Sequence, residues 1–198
     1  MSQVLQTKLI ILKKTKYSEA DLVLQALLPT GARISILARG ALKSKKRFGG
    51  GILEPTHHLQ AQIKKPKQES GMYTLEEAQL IHGFDSIRTS YEKIEFALSL
   101  LEIISRISQE GDIHSESLYN LLGHTLTVLG QTTDLKNLKL HFGLKLLYNQ
   151  GVLDQEPWMG PYLSLALAHH SELKTKPQDF HYVWLEAQIQ RYLETAEH

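Results

Sequence analysis

Apolar and polar positions alternate along the first 80 residues, and the period then changes. Ile34, Ile36 and Ala38 alternate with Arg33, Ser35 and Leu37, the two-residue repeat of a strand with one buried face. Arg33 and Arg39 are therefore expected on the opposite, outward side. Upstream, "DLVLQALL" is a second strand-length run, and the "PTG" between the two supplies turn geometry. Leu9 to Leu12 form a short apolar run among lysines, again of strand length. "HHLQAQIKK" places Leu59, Ala61 and Ile63 on one face, and "GMYTLEEAQLI" reads as a fifth strand. In that strand Glu76 and Glu77 should point to opposite faces. Five strands joined by one long glycine-rich connection predict a small barrel.

Beyond about residue 81 the spacing becomes helical. In "YEKIEFALSLLEIISRISQ" Glu92, Glu95, Ser99, Glu102, Arg106 and Gln109 recur every three or four residues as one narrow polar stripe. The rest of that surface, Leu98 included, is apolar, so the helix is expected to be buried on several sides. Leu118, Leu121, Leu122, Leu126 and Leu129 mark a second helix from about Ser115 to Gly130. A third starts near Asp134, a candidate N-cap, carries Leu135, Leu138, Phe142 and Leu146, and stops at Gly151. Weaker helical patterns follow over 162–170 and 180–194. The expected organisation is α+β: residues 1–80 a β-barrel, residues 81–198 an α-helical domain.

Charge follows the same division. The 198 residues carry a net charge of +1, yet residues 1–70 hold thirteen Lys and Arg against four Asp and Glu. The remainder is correspondingly acidic. This polarity predicts a basic half for a polyanion and an acidic half for another task. The basic charge peaks in "LARGALKSKKRFGGG", where Arg39, Lys43, Lys45, Lys46 and Arg47 run into Gly49, Gly50 and Gly51. Glycines there let the backbone approach a ligand closely. Lys13, Lys14, Lys16, Lys64, Lys65 and Lys67 add charge at the ends of neighbouring strands.

Catalytic signatures are missing from the sequence. The basic segment lacks the G-x-x-x-x-G-K-[ST] order of a phosphate loop, and neither G-x-S-x-G nor H-E-x-x-H occurs. There is no cysteine, so disulfides and thiolate metal sites are excluded. The ten histidines scatter, with two adjacent pairs that cannot share one face of a regular element. The expectation is a non-enzyme without metal or cofactor. No apolar run is long enough for a signal peptide or a membrane span, so a cytoplasmic protein with no membrane partner is expected.

The residues quoted resemble a known family. "LKKTKYSEADL", "TGARISILARGALKSKKRFGG", "LEP" and "YTLEEAQLI" are similar to the bacterial RecO family of DNA-repair and recombination mediators. The resemblance runs through nearly the whole N-terminal half, and "ARGALKSKKRFGG" leading to "LEP" is its most specific part. It implies an OB-fold barrel followed by an α-helical domain. It implies binding to single- and double-stranded DNA, annealing of complementary strands, and help in loading RecA onto strands coated by single-strand-binding protein, SSB. The implied partners are RecR and the C-terminal tail of SSB. The family's basic DNA-binding positions fall here on Arg33, Arg39, Lys43, Lys45, Lys46 and Arg47, in agreement with the charge pattern. Many members carry two Cys-x-x-Cys pairs after the third long helix; here that region reads "GVLDQEPWMGPYLSLALAHH", so no zinc is expected.

These expectations define a mechanism. A cationic loop screens two mutually repelling strands without reading bases. Neutralising about six phosphates of a single strand predicts that log K falls with log salt at a slope of roughly −4. Lys14 extends the basic surface. Phe48, Tyr17 and Tyr73 are candidates for base stacking, with barrel core or loop anchor as the alternative for each. Lys136, Lys139 and Lys145 are a candidate positive spot for the acidic SSB tail, with ordinary solvated surface as the alternative. Two other functions fit the same pattern: a general single-stranded nucleic-acid binder such as an RNA chaperone, and a protein–protein adaptor whose basic loop docks an acidic partner.

Overall fold

The computed structural model describes residues 3–44, 47–48, 51–66, 71–108, 116–174 and 177–196. Five strands come first: β1 (Val4–Lys16), β2 (Leu22–Leu27), β3 (Arg33–Ala38), β4 (His58–Lys64) and β5 (Tyr73–His82). They pair in the order β1-β2-β3-β5-β4 and return to β1. Four of the pairings are antiparallel. The ring closes through a short parallel contact, with Ile36 opposite Tyr73 and Leu37 opposite Thr74. Beyond that contact the 39–57 connection lies beside β5, where the Ala78 amide meets the Arg47 carbonyl at 3.5 Å. This is the thinly closed five-stranded barrel of an OB-fold, and helices follow it, so the fold is α+β as expected.

The continuous apolar run of β1 has a packing reason. Leu9 and Ile11 point into the barrel with Leu24, Ile36, Leu59 and Ile63. Ile10 and Leu12 face outward, but with Leu27 they are buried in the core of the helical half. A strand covered on both faces reads as unbroken hydrophobicity rather than alternation. Barrel and helices thus share a core across β1, and Leu12 sits at a bulge in the β1–β2 ladder.

The same device corrects the reading of β5. The register shifts between Gln62 and Ile63, which face Glu77 and Leu75. Leu75 and Ala78 both reach the barrel core, so Glu76 and Glu77 lie between two inward residues. They do not alternate across the sheet as a strict two-residue period requires.

The helical half consists of α1 (Tyr91–Ile107), α2 (Glu116–Gln131), α3 (Leu135–Asn149), α4 (Gly160–Ser164) and α5 (Asp179–Ala196), with 3-10 turns at Asp85–Thr89, Pro157–Met159 and Leu167–Glu172. Asp134 caps α3 as expected, its side chain accepting from the Asn137 amide at 3.0 Å. Helices α3 and α5 approach closely at Gly143, where an added Cβ would sit 2.6 Å from Leu185. Two expectations fail here. Leu98 is 51% exposed, because α1 buries Phe96, Ala97, Leu100, Leu101, Ile104 and Ile107 and Leu98 lies off that face. The pattern over 162–170 is no single helix: extended Ala166 separates α4 from the 3-10 turn after it.

Candidate nucleic-acid interface

The basic connection is built on its own apolar feet. Phe48 is 2% exposed and Leu53 is 5% exposed, both within the barrel core, with Ala41 and Ile52 packed against it. Phe48 is therefore a plug in the barrel core, and of the two readings open for its ring the anchor holds and the stacking platform does not. Tyr73 likewise packs on the barrel core, whereas Tyr17 is 63% exposed. Phe48 and Leu53 turn in, whereas Arg39, Lys43 and Arg47 are exposed, as is Leu42 between them at 52%. The Arg47 guanidinium donates to the Arg39 carbonyl at 2.7 Å and lies 5.0 Å from the Phe48 ring centre. Lys45, Lys46, Gly49 and Gly50, and Lys67 further along, lie outside the described residues.

The connection is also tied to the turn joining β1 and β2. The Gly40 amide donates to the Asp21 carboxylate at 2.7 Å, and the Leu42 amide donates to the Ala20 carbonyl at 3.0 Å. Gly40 has φ 65°, a left-handed conformation that glycine adopts without strain. Asp21 is itself fixed, its amide donating to Ser18 Oγ at 3.1 Å. The Gly40 hydrogen bond, then that of the Ser18 hydroxyl and the charge of Arg39, hold its carboxyl below the usual range against the opposing effect of burial.

At the far end of the connection, His57 joins it to the helical half. Arg88 Nη2 lies 2.8 Å from His57 Nε2, and His57 Nδ1 lies 2.8 Å from the Ile52 carbonyl. A guanidinium only donates, so Nε2 is the acceptor and Nδ1 carries the hydrogen. Thr56, beside it, holds φ 79°, and its amide donates to the Ile11 carbonyl at 2.9 Å.

Lys14 and Lys43 line one cleft of about 280 Å³ between β1 and the connection. Lys14 is not a free cation there: its ammonium contacts both Glu54 oxygens, at 2.5 and 2.6 Å. Arg33 stands apart from this group. It lies at the opposite end of β3, where Nη1 donates to the Ser105 carbonyl of α1 at 3.0 Å. Alternation placed Arg33 outward correctly, but outward at that point means toward α1. The structure therefore gathers Arg39, Lys43, Arg47 and Lys14 and leaves Arg33 on the seam between barrel and helices.

Comparison with known proteins accords with this geometry. Residues 1–84 match the family model described as Recombination protein O N terminal, and residues 88–153 match Recombination protein O C terminal. The chain belongs to the RecO family. It is 41% identical over 120 residues to the DNA repair protein RecO of Desulfosudis oleivorans, covering 61% of this chain and 45% of the relative. It is 31% identical over 148 residues to that of Maridesulfovibrio salexigens, covering 74% and 58%. The relative from Syntrophobacter fumaroxidans is 30% identical over 148 residues, covering 75% and 57%. The chain spans about half the length of the curated relatives it matches.

The entire basic connection falls within the stretch matched by the RecO N-terminal model. In the helical half, the three lysines considered for an acidic tail contact the chain's own groups. Lys139 pairs with Glu186 at 2.7 Å, Lys145 donates to the Leu163 carbonyl at 3.0 Å, and Lys136 lies 6.0 Å from the Tyr182 ring centre. No helix among the described residues is long and apolar enough to cross a membrane. Sequence reasoning missed Asp21 and His57. Asp21 entered only as a negative charge in a basic half, although its three-residue spacing from Ser18 is a turn signal.

Proposed function

We propose that the chain is a DNA-repair and recombination mediator that binds single- and double-stranded DNA and anneals complementary strands. With RecR it would assist RecA loading onto strands coated by SSB, whose tail it would contact. The observation carrying this reading is the exposure of Arg39, Lys43 and Arg47 on a connection pinned by Phe48 and Leu53 into the core of an OB-type barrel. Cations on an anchored platform meet phosphates without reading base edges, which suits annealing of any sequence. The acidic helical half would repel DNA and is the part suited to protein partners. The proposed action is binding, not turnover.

The test is annealing of two complementary labelled oligonucleotides, one coated with its cognate SSB. Wild type is compared with a variant carrying Lys43, Lys45, Lys46 and Arg47 all changed to Ala. Wild type is expected to anneal the coated strand and the variant to fail. Annealing of bare strands alone would point instead to a general single-strand binder. No binding of DNA by wild type would leave the basic loop as a protein-docking site.

A further inference from the structure

An acidic side chain sits inside the basic surface, against simple electrostatics. Asp21 lies beside Arg39, and its carboxylate accepts the Gly40 amide at 2.7 Å. The last paired residues of the β2–β3 hairpin are Leu22 and Ala38, so Asp21 and Gly40 lie just beyond the end of the ladder. There the Asp21 side chain supplies an acceptor where the strands diverge. Gly40 in turn begins a tight turn, its carbonyl accepting from the Lys43 amide at 3.1 Å, and the preceding Arg39 carbonyl accepts the Arg47 guanidinium at 2.7 Å. The Asp21 carboxylate, beside the Ala20 carbonyl that accepts the Leu42 amide, is thus the side-chain tie at the pivot from which Arg39, Lys43 and Arg47 are presented.

We infer that Asp21 is a positioning residue of the nucleic-acid interface, fixing the basic connection through the Gly40 amide although its own charge opposes DNA. The inference rests on the proposed DNA-binding role. Where the acceptor is lost together with the charge, it predicts a sign opposite to Coulomb's law acting alone, by which removing an acid beside a polyanion tightens binding.

Three variants separate geometry from charge. Asp21→Asn keeps an oxygen acceptor and loses the charge; Asp21→Glu keeps the charge and displaces the acceptor by one methylene; Asp21→Ala loses both. Affinity for a fluorescent single-stranded oligonucleotide is measured at several salt concentrations, alongside hydrogen exchange of the Gly40 amide. Asp21→Asn is expected to bind at least as tightly as wild type and to keep Gly40 protected. Asp21→Ala and Asp21→Glu are expected to bind about tenfold more weakly, as for a connection in its competent arrangement a tenth of the time, with faster Gly40 exchange. Should Asp21→Ala not fold, Asp21→Asn and Asp21→Glu decide the matter. Tighter or unchanged binding by Asp21→Glu and Asp21→Ala overturns the inference, as does equal Gly40 exchange in all folded variants. If wild type itself ignores DNA, the functional reading falls, and Gly40 exchange still shows whether Asp21 sets the pivot.

Discussion

Arg33 of the barrel donates a 3.0 Å hydrogen bond to the main-chain carbonyl of Ser105, in the last turn of α1. The carbonyls of a helix's last turn lack amide partners within the helix and carry its negative dipole end, so a guanidinium is well matched there. Ser105 Oγ also donates to Gln25 on β2 at 3.3 Å. Arg33 is in this arrangement a clasp between barrel and helices, and its charge faces α1.

That assignment separates two arginine and lysine effects. Arg33→Ala should cost about 1 kcal/mol of stability, a fall in Tm of roughly 2–4 °C for a chain of this size, with the salt slope of DNA binding unchanged. Lys43→Ala should do the reverse, leaving Tm in place and reducing the slope by roughly 0.7 on single strands. Thermal melts and salt titrations of both variants check this. A loss of slope in Arg33→Ala would return Arg33 to the DNA interface.

Lys14 is held by Glu54, with side-chain exposures of 30% and 36%. An ion pair this exposed contributes under about 1 kcal/mol, so the carboxylate can be removed without unfolding the barrel. Glu54→Gln should release Lys14 into the cleft it shares with Lys43, tighten DNA binding and steepen the salt slope by roughly 0.7. Unchanged affinity in a salt titration would place Lys14 off the DNA path.

Phe48 tests anchoring against stacking. Its burial predicts that Phe48→Ala costs about 3–5 kcal/mol in urea denaturation, the penalty of an emptied core site. Phe48→Leu should preserve most of the plug and leave oligonucleotide affinity nearly unchanged. Were the ring a stacking platform, the same change would remove about 1–3 kcal/mol of binding for each stacked base.

What the sequence conveyed followed from local period, and what it withheld depended on contacts far along the chain. The alternation of Ile34, Ile36 and Ala38 gave β3 its buried face, and Asp134 gave α3 its start, because each signal lies within a few residues. Glu76 and Glu77 were misread because a bulge answers to the partner strand, and nothing in "LEEA" announces it. An aromatic in a lysine-rich loop reads equally as a stacking platform or an anchor until the barrel core is known to take in Phe48. Arg33 was placed on the correct face of β3, but only the fold puts α1 over that face. Asp21 shows the limit of counting charge: one carboxylate subtracts from a basic half, yet its position makes it one of the loop's fastening points.

The helical half contains a group whose titration should govern acid stability. His141 is fully buried in α3, with Nε2 3.1 Å from the Leu165 carbonyl, and its ring stacks 5.8 Å from that of His170. Burial pushes its pKa down from 6.5 to about 4, with the charges of Lys145 and His170 acting in the same direction and the Leu165 carbonyl partly opposing them. His170 is lowered too, chiefly by burial, while Asp134 pulls it back. Between about pH 6.5 and pH 4 the unfolded chain therefore binds a proton at His141 that the folded chain does not. Stability from this group is complete above pH 6.5 and is lost as the pH falls toward 4. The loss amounts to roughly 3.5 kcal/mol at most, since each pKa unit corresponds to about 1.4 kcal/mol. Urea midpoints should fall steadily from pH 7 to pH 4.5 in wild type and more gently in His141→Phe, which has no proton to take up. Parallel curves for the two proteins would show that acid sensitivity arises elsewhere in the chain.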